Sequence, residues 1–127
     1  MSEQNLRDNE QIYETKIGEV QIADEVVTII AGLAATEVEG VVSLAGNITN
    51  DKVSKKGIKN LAKGVKVDVL QGSVSVEVSM LMKYGYSIPG VTQKVQDKVK
   101  TAIENMTGLQ VTDVNVRVVG VEIEKSN

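Results

Sequence analysis

Val65-Lys66-Val67-Asp68-Val69-Leu70-Gln71-Gly72-Ser73-Val74-Ser75-Val76-Glu77-Val78-Ser79-Met80-Leu81-Met82 is the stretch on which the fold turns. On both sides of Gln71-Gly72 valine returns at every second position. That is the period of a strand with one buried face, not of a helix. β-Branched side chains suit such a pleated, half-buried surface. Two alternating runs joined by Gln-Gly predict a β-hairpin. Val74, Val76, Val78, Met80 and Met82 line one face of its second arm. The end of that arm, Met80-Leu81-Met82, is apolar on both faces, so both must be covered there.

Toward the C-terminus the period changes. Pro89 falls in the first turn of a helix, where its missing N–H does no harm. Val91, Val95, Val99, Ala102, Ile103 and Met106 form one stripe at helical spacing, and Gly108 is the stop. A last strand runs from Leu109 to Ile123, with Val114, Val116 and Val118 sharing a face. Val118-Val119 and Val121 make its later part apolar on both sides.

Toward the N-terminus, Lys16 to Ala23 alternates as a short strand, and Asp24 stands where a helix cap is wanted. Val26, Val27, Ile29, Ile30, Leu33, Ala34 and Val38 then follow at helical spacing over more than half the circumference. The remaining face carries Thr28, Gly32, Ala35 and Thr36, a strip small enough to let another backbone come close. Two readings stay open for that strip: packing on the protein's own sheet, or a helix-to-helix contact between subunits. Gly40 ends the helix and Val41 to Ala45 reads as a strand. Gly46 to Lys63 is an irregular loop with one helical turn at Ile58 to Ala62. Loops of this length are either functional or mobile. Residues 1–14 form a mobile polar tail, 15–123 a single domain, and 124–127 a short tail. The fold class is α+β: one mixed β-sheet with two main helices packed on it, in the order β-α-β-β-β-α-β.

At 127 residues the chain can bury a core without a metal or disulfide staple. It contains no Cys and no His. Disulfides, thiolate zinc sites and thiol nucleophiles are therefore excluded, and so is serine or cysteine catalysis through an imidazole. Asp24-Glu25 and Glu37/Glu39 are carboxylate neighbours along a helix, which do not converge on one point. We expect no enzyme activity, no cofactor and no metal. No apolar run approaches the ~20 residues that span a bilayer, and the polar start has no secretory signal core. The expected location is the cytoplasm, without membrane insertion. Net charge is only −3. Yet Lys52, Lys55, Lys56, Lys59, Lys63 and Lys66 stand together without an acid among them.

The most distinctive peptide is Lys83-Tyr84-Gly85-Tyr86-Ser87-Ile88-Pro89-Gly90. It joins a long strand to an amphipathic helix and holds two of the chain's three tyrosines. One reading is a tight corner with a tyrosine over the core edge. The other is a binding loop, since paired tyrosines beside Gly and Pro give rigid amphipathic contact area. The lysine stretch reads as a solvated loop, as a contact for acidic proteins or for the chain's own acidic front (nine carboxylates against Arg7 and Lys16 from Met1 to Glu39), or as a weak RNA site. It lacks the interleaved aromatics and arginines of a nucleic-acid surface.

Several motifs, in this order and spacing, resemble the alkaline shock protein family of general-stress proteins in Gram-positive bacteria. They are Ile22-Ala23-Asp24-Glu25-Val26, Ile30-Ala31-Gly32-Leu33-Ala34, Val38-Glu39-Gly40-Val41, Tyr84-Gly85, Ile88-Pro89-Gly90-Val91 and Val114-Asn115-Val116-Arg117-Val118-Val119-Gly120-Val121. The likeness covers nearly all of Ile17 to Ile123. It implies a non-enzymatic cytoplasmic protein of cell-envelope homeostasis. Some members self-assemble beneath the membrane through a membrane-anchored partner, and compact relatives are encoded beside lipid-synthesis genes. The expected partners are further copies of itself and other proteins, including a membrane-anchored one. The expected contact residues are Tyr84, Gly85, Tyr86, Ile88 and Pro89, with Thr28, Gly32, Val119 and Val121. The rival reading is RNA binding through Lys52 to Lys66.

Overall fold

A two-residue hairpin turn of the right twist needs left-handed backbone at both positions. Gln71 and Gly72 adopt it, with φ of 50° and 86°, in a computed structural model that describes residues 10–44 and 64–123. Among the described residues the elements are β1 (Glu10–Thr15), β2 (Gly18–Ala23), α1 (Asp24–Thr36), β3 (Val41–Leu44), β4 (Val65–Leu70), β5 (Ser73–Lys83), α2 (Ile88–Thr107) and β6 (Gln110–Glu122). The expected order β-α-β-β-β-α-β holds, preceded by one further strand.

β5 is the spine of the sheet. Along one edge it pairs antiparallel first with β4, from Leu70↔Ser73 to Val65↔Val78, and then with β3, at Leu44↔Met80 and Val41↔Met82. Along the other edge it pairs parallel with β6 over its whole length, from Ser73↔Gln110 to Lys83↔Glu122. Two strands running parallel need a crossover between them, and α2 is that crossover. The result is an α+β fold with both helices on one face of a mixed sheet.

The valine alternation chooses that face. Val74, Val76, Val78, Met80 and Met82 are buried beneath the helices with Val65, Leu44, Val111 and Val114. Their odd-numbered neighbours on β5 face the open side, where Ser75, Glu77 and Ser79 lie. Leu81, the apolar exception on that side, lies across Gly120 of β6. A Cβ at Gly120 would come within 2.9 Å of the Leu81 side chain. The Leu81 side chain thus lies over the bare backbone of Gly120 and is half-buried there.

α2 keeps the expected stripe in Val91, Val95, Val99 and Ile103, all buried, with Ala102 packed against them. Met106 does not join it and is exposed. The helix starts at a Ser87 cap, whose hydroxyl accepts from the Gly90 N–H at 3.1 Å. It ends at Gly108 in the left-handed conformation, φ 82°, the common C-terminal device. α1 differs from its sequence reading at the start. Ala23, not Asp24, occupies the N-cap position, and no side chain caps the helix.

Residues 10–14, expected in the polar tail, belong to a strand. Glu10–Thr15 is β1, paired antiparallel with β2 from Glu10↔Ala23 to Thr15↔Gly18. Its sequence lacks an apolar stripe because the hairpin buries little: Ile12, Ile17 and Val20 are exposed. Backbone pairing, which composition does not reveal, makes this strand. Residues 1–9, 45–63 and 124–127 lie outside the described residues, and with them the helical turn expected at Ile58 to Ala62.

Candidate protein-interaction surface

The Tyr84–Pro89 corner sits at the C-terminal ends of the two parallel strands. The Tyr84 N–H donates to the Glu122 carbonyl at 3.0 Å, extending the β5–β6 ladder by one bond. Gly85 then turns the chain with φ 100°. The two tyrosines part company here. The Tyr86 ring lies on Gly40, where an added Cβ would meet it at 3.0 Å, and its hydroxyl donates to the Glu39 carboxylate at 3.2 Å. Tyr86 is thus the structural tyrosine that covers the core edge. Tyr84 is 70% exposed.

Around Tyr84 the strand ends add more apolar surface. Val121 pairs with Met82, Glu122 pairs with Lys83, and Ile123 follows. Ile88, Val119 and Val121 are each about half exposed, and Ile123 is 68% exposed. Sequence reasoning named Tyr84, Ile88, Pro89, Val119 and Val121 from two separate peptides. Parallel pairing brings these peptides to one end of the sheet. Ile123, exposed beside them, was not among the residues named, because it reads only as the end of a strand pattern.

On α1 the small strip follows the first of its two readings. Gly32 is buried with Val27, Ile30, Ala31, Ala34 and Ala35. The Thr28 hydroxyl bonds its own helix, donating to the Asp24 carbonyl at 3.0 Å. Gly32 and Ala35 of the small strip are thus buried within the protein itself, where α1 packs against α2 and the sheet. Outward on α1 stand Val26 and Leu33, exposed by 45% and 48%. The helix is apolar all round, so periodicity alone could not say which side faces the core.

Of the basic set, Lys52, Lys55, Lys56, Lys59 and Lys63 lie outside the described residues. Lys66 stands on the open face of the sheet, opposite Glu77. That face is polar and bears a shallow hollow of about 300 Å³ over Lys66, Asp68, Ser75, Glu77 and Asn115. Beside the hollow, Asp113 accepts from Ser75 Oγ at 2.9 Å, Thr112 Oγ1 at 2.8 Å and Asn115 Nδ2 at 2.9 Å. The hydroxyl bonds from Thr112 and Ser75, then the Asn115 amide, hold its carboxyl below the ordinary value. A carboxylate made less basic in this way is a poor base for activating either hydroxyl. Glu104 is also lowered, first by the Val111 N–H and then by Lys100. Asp24 moves the other way: burial raises it, and the nearby Asp68 charge adds to the shift. Among the described residues no group of His, Cys, Asp and Glu could hold a metal ion.

At this corner an exposed aromatic and several half-exposed aliphatics lie beside the ends of β5 and β6. Residues 12–123 match the model of the alkaline shock protein family, described as having a cell envelope-related function. The chain belongs to this family. Among its relatives, YqhY of Bacillus subtilis is 38% identical over 111 residues, 87% of this chain and 82% of YqhY. YloU of the same organism is 33% identical over 111 residues, 86% of this chain and 92% of YloU. A stress response regulator, the gls24 homolog of Streptococcus pyogenes, is 27% identical over 112 residues. That covers 85% of this chain but 61% of the longer regulator. The resemblance read from the motifs is therefore a membership. As an alkaline shock family protein the chain stands among envelope-related and stress-response proteins. No helix among its described residues is long and apolar enough to cross a membrane.

Proposed function

We propose that this alkaline shock family protein is a non-catalytic assembly and adaptor protein of envelope and lipid homeostasis. In this reading it works in the cytoplasm, binds copies of itself, and reaches the membrane through an anchored protein partner. The observation that carries the reading is the apolar end of the sheet, where Tyr84, Ile88, Val121 and Ile123 are exposed together. Apolar groups clustered on one surface mark contact sites, whereas single exposed ones need no explanation. Aromatics on a rigid frame supply such contacts at low entropic cost. The link to lipid homeostasis follows the compact relatives that the sequence resembles.

Sedimentation velocity over a wide concentration range, with and without labelled single-stranded RNA, tests the proposal. Dimers and larger species that grow without RNA support it. Tyr84→Ser with Ile123→Ser should remove the species beyond dimer. A strict monomer that shifts only with RNA, and less at high salt, would overturn it in favour of the lysine stretch, because counterion release makes such binding salt-dependent.

A further inference from the structure

β6 borders the sheet. Its inner edge pairs with β5, and no strand among the described residues pairs with its outer edge. Natural proteins blunt such edges with lysine, proline, bulges or covering side chains. β6 contains neither Lys nor Pro. Its register shifts fall near its two ends, between Val111 and Asp113 and between Val118 and Gly120. From α2, Glu104 accepts the Val111 N–H at 3.0 Å, and the Gln96 amide donates to the Val114 carbonyl at 3.1 Å. Both helix side chains reach backbone groups on the outer edge. The regular stretch between the shifts, Asp113-Val114-Asn115-Val116-Arg117-Val118, keeps the rest of its edge open.

That stretch is self-complementary when read against itself in reverse. Centred on Asn115, antiparallel pairing sets Asp113 opposite Arg117 of the second copy, Val114 opposite Val116, and Asn115 opposite Asn115. Directly opposed residues of an antiparallel pair share a face. The valines would therefore continue the helix-covered face, and the charged pairs the open one. Arg117 is exposed and its side chain has no hydrogen bond or ion pair among the described residues. Asp113 is held in place by Ser75, Thr112 and Asn115. Moving the centre one residue either way loses both Asp–Arg pairs. We propose that β6 is a dimer edge, along which two copies of this chain pair antiparallel about a two-fold axis through Asn115.

The inference rests on the assembly reading and names its first contact. The backbone groups of a strand alternate sides, so with the Val114 carbonyl on the outer edge those of Val116 are outward too. Val114 and Val116 then exchange hydrogen bonds with their counterparts, and the partner's N–H takes the place of the Gln96 amide. Asn115 faces Asn115 as a non-hydrogen-bonded pair, with Cα atoms about 4.5 Å apart. That spacing suits a disulfide. Because the chain has no cysteine, one substitution reads out the axis.

Asn115→Cys should give a covalent dimer under mild oxidation. Glu77→Cys, on the open face one strand further from the axis, should not, since its Cα atoms would lie about 14 Å apart at the strand spacing of roughly 4.8 Å. Charge exchange tests the same register without cysteine. Arg117→Glu and Asp113→Arg should each weaken self-association at least tenfold, and the two mixed together should form a heterodimer of near-parental affinity. Gln96→Ala, which uncovers the Val114 carbonyl, should tighten the dimer. A protein that self-associates yet fails to cross-link at Asn115, or cross-links equally at Glu77, overturns this edge and leaves the assembly reading standing. A strict monomer without cross-link overturns both.

Discussion

Gly40→Ala should be far more damaging than the same methyl addition at Gly120. Gly40 has φ 102°, and a Cβ there would meet Val91 Cγ2 at 2.9 Å and the Tyr86 ring at 3.0 and 3.1 Å. Its backbone cannot slide away, because the Gly40 carbonyl accepts from the Lys83 N–H at 2.8 Å. The neighbours are also fixed. Val91 is buried at the head of the α2 stripe, and Tyr86 is held by Glu39. Strained backbone at a non-glycine residue costs about 1–3 kcal/mol, and forcing a methyl into packed surroundings costs about 1–3 kcal/mol more. A total of about 3 kcal/mol should lower the Tm by roughly 10 °C for a domain of this size. Gly120→Ala is the control. Its Cβ also meets a neighbour at 2.9 Å, but φ is not positive and the atom touched is the end of the Leu81 side chain. A flexible neighbour can turn aside, so the loss there should stay below about 1 kcal/mol. Thermal unfolding followed by circular dichroism compares the two. A Gly40→Ala protein melting within 2 °C of its parent, or no lower than Gly120→Ala (about half a kcal/mol on this scale), would refute the reasoning.

Three further outcomes follow from local geometry. Ser87→Ala removes the cap on the Gly90 N–H and should lower stability by about 1 kcal/mol, read as a lower urea midpoint with an unchanged slope. Asp24 has a buried Oδ1 with no hydrogen-bond partner and a raised pKa. The fold therefore opposes its charge, and stability from this group rises as pH falls through that raised value. Asp24→Asn should raise the urea midpoint at neutral pH, with the gain fading in acid; a lower midpoint at pH 7 would contradict this. Asp113 has the opposite sign: its lowered pKa contributes stability at neutral pH that is lost as pH falls through the folded value. Asp113→Ala should flatten the acid side of the stability profile, and an unchanged acid limb would count against the Thr112–Ser75–Asn115 cradle.

The parts of the fold that could be read in advance were those where one side chain type repeats at one period. The β4–β5 valines and the Val91-Val95-Val99-Ile103 stripe each bury one face only, so their period states their orientation. Punctuation was equally plain at Gln71-Gly72 and Gly108, because left-handed backbone favours few residue types. β1 was not legible. Its pairing with β2 is a matter of backbone hydrogen bonds, and Ile12 and Val20 remain exposed. A strand that buries little leaves little hydrophobic signal.

The candidate contacts show the limit in another way. Tyr84 and Tyr86 are two residues apart with the same side chain, and no local property separates them. What separates them is Gly40, distant in sequence, whose missing Cβ leaves room for one ring. The faces of α1 were decided likewise. Large and small apolar residues surround it, and packing against α2 and the sheet buries Val27 and Ile30 together with Ala31, Gly32, Ala34 and Ala35. That packing leaves Val26 and Leu33 outside. The palindrome in β6 could be read in the sequence at any time. It gained meaning only when parallel pairing with β5 put Asp113, Asn115 and Arg117 on an outer strand. In this protein, composition and period say which residues seek burial, and long-range pairing decides which of them stay exposed.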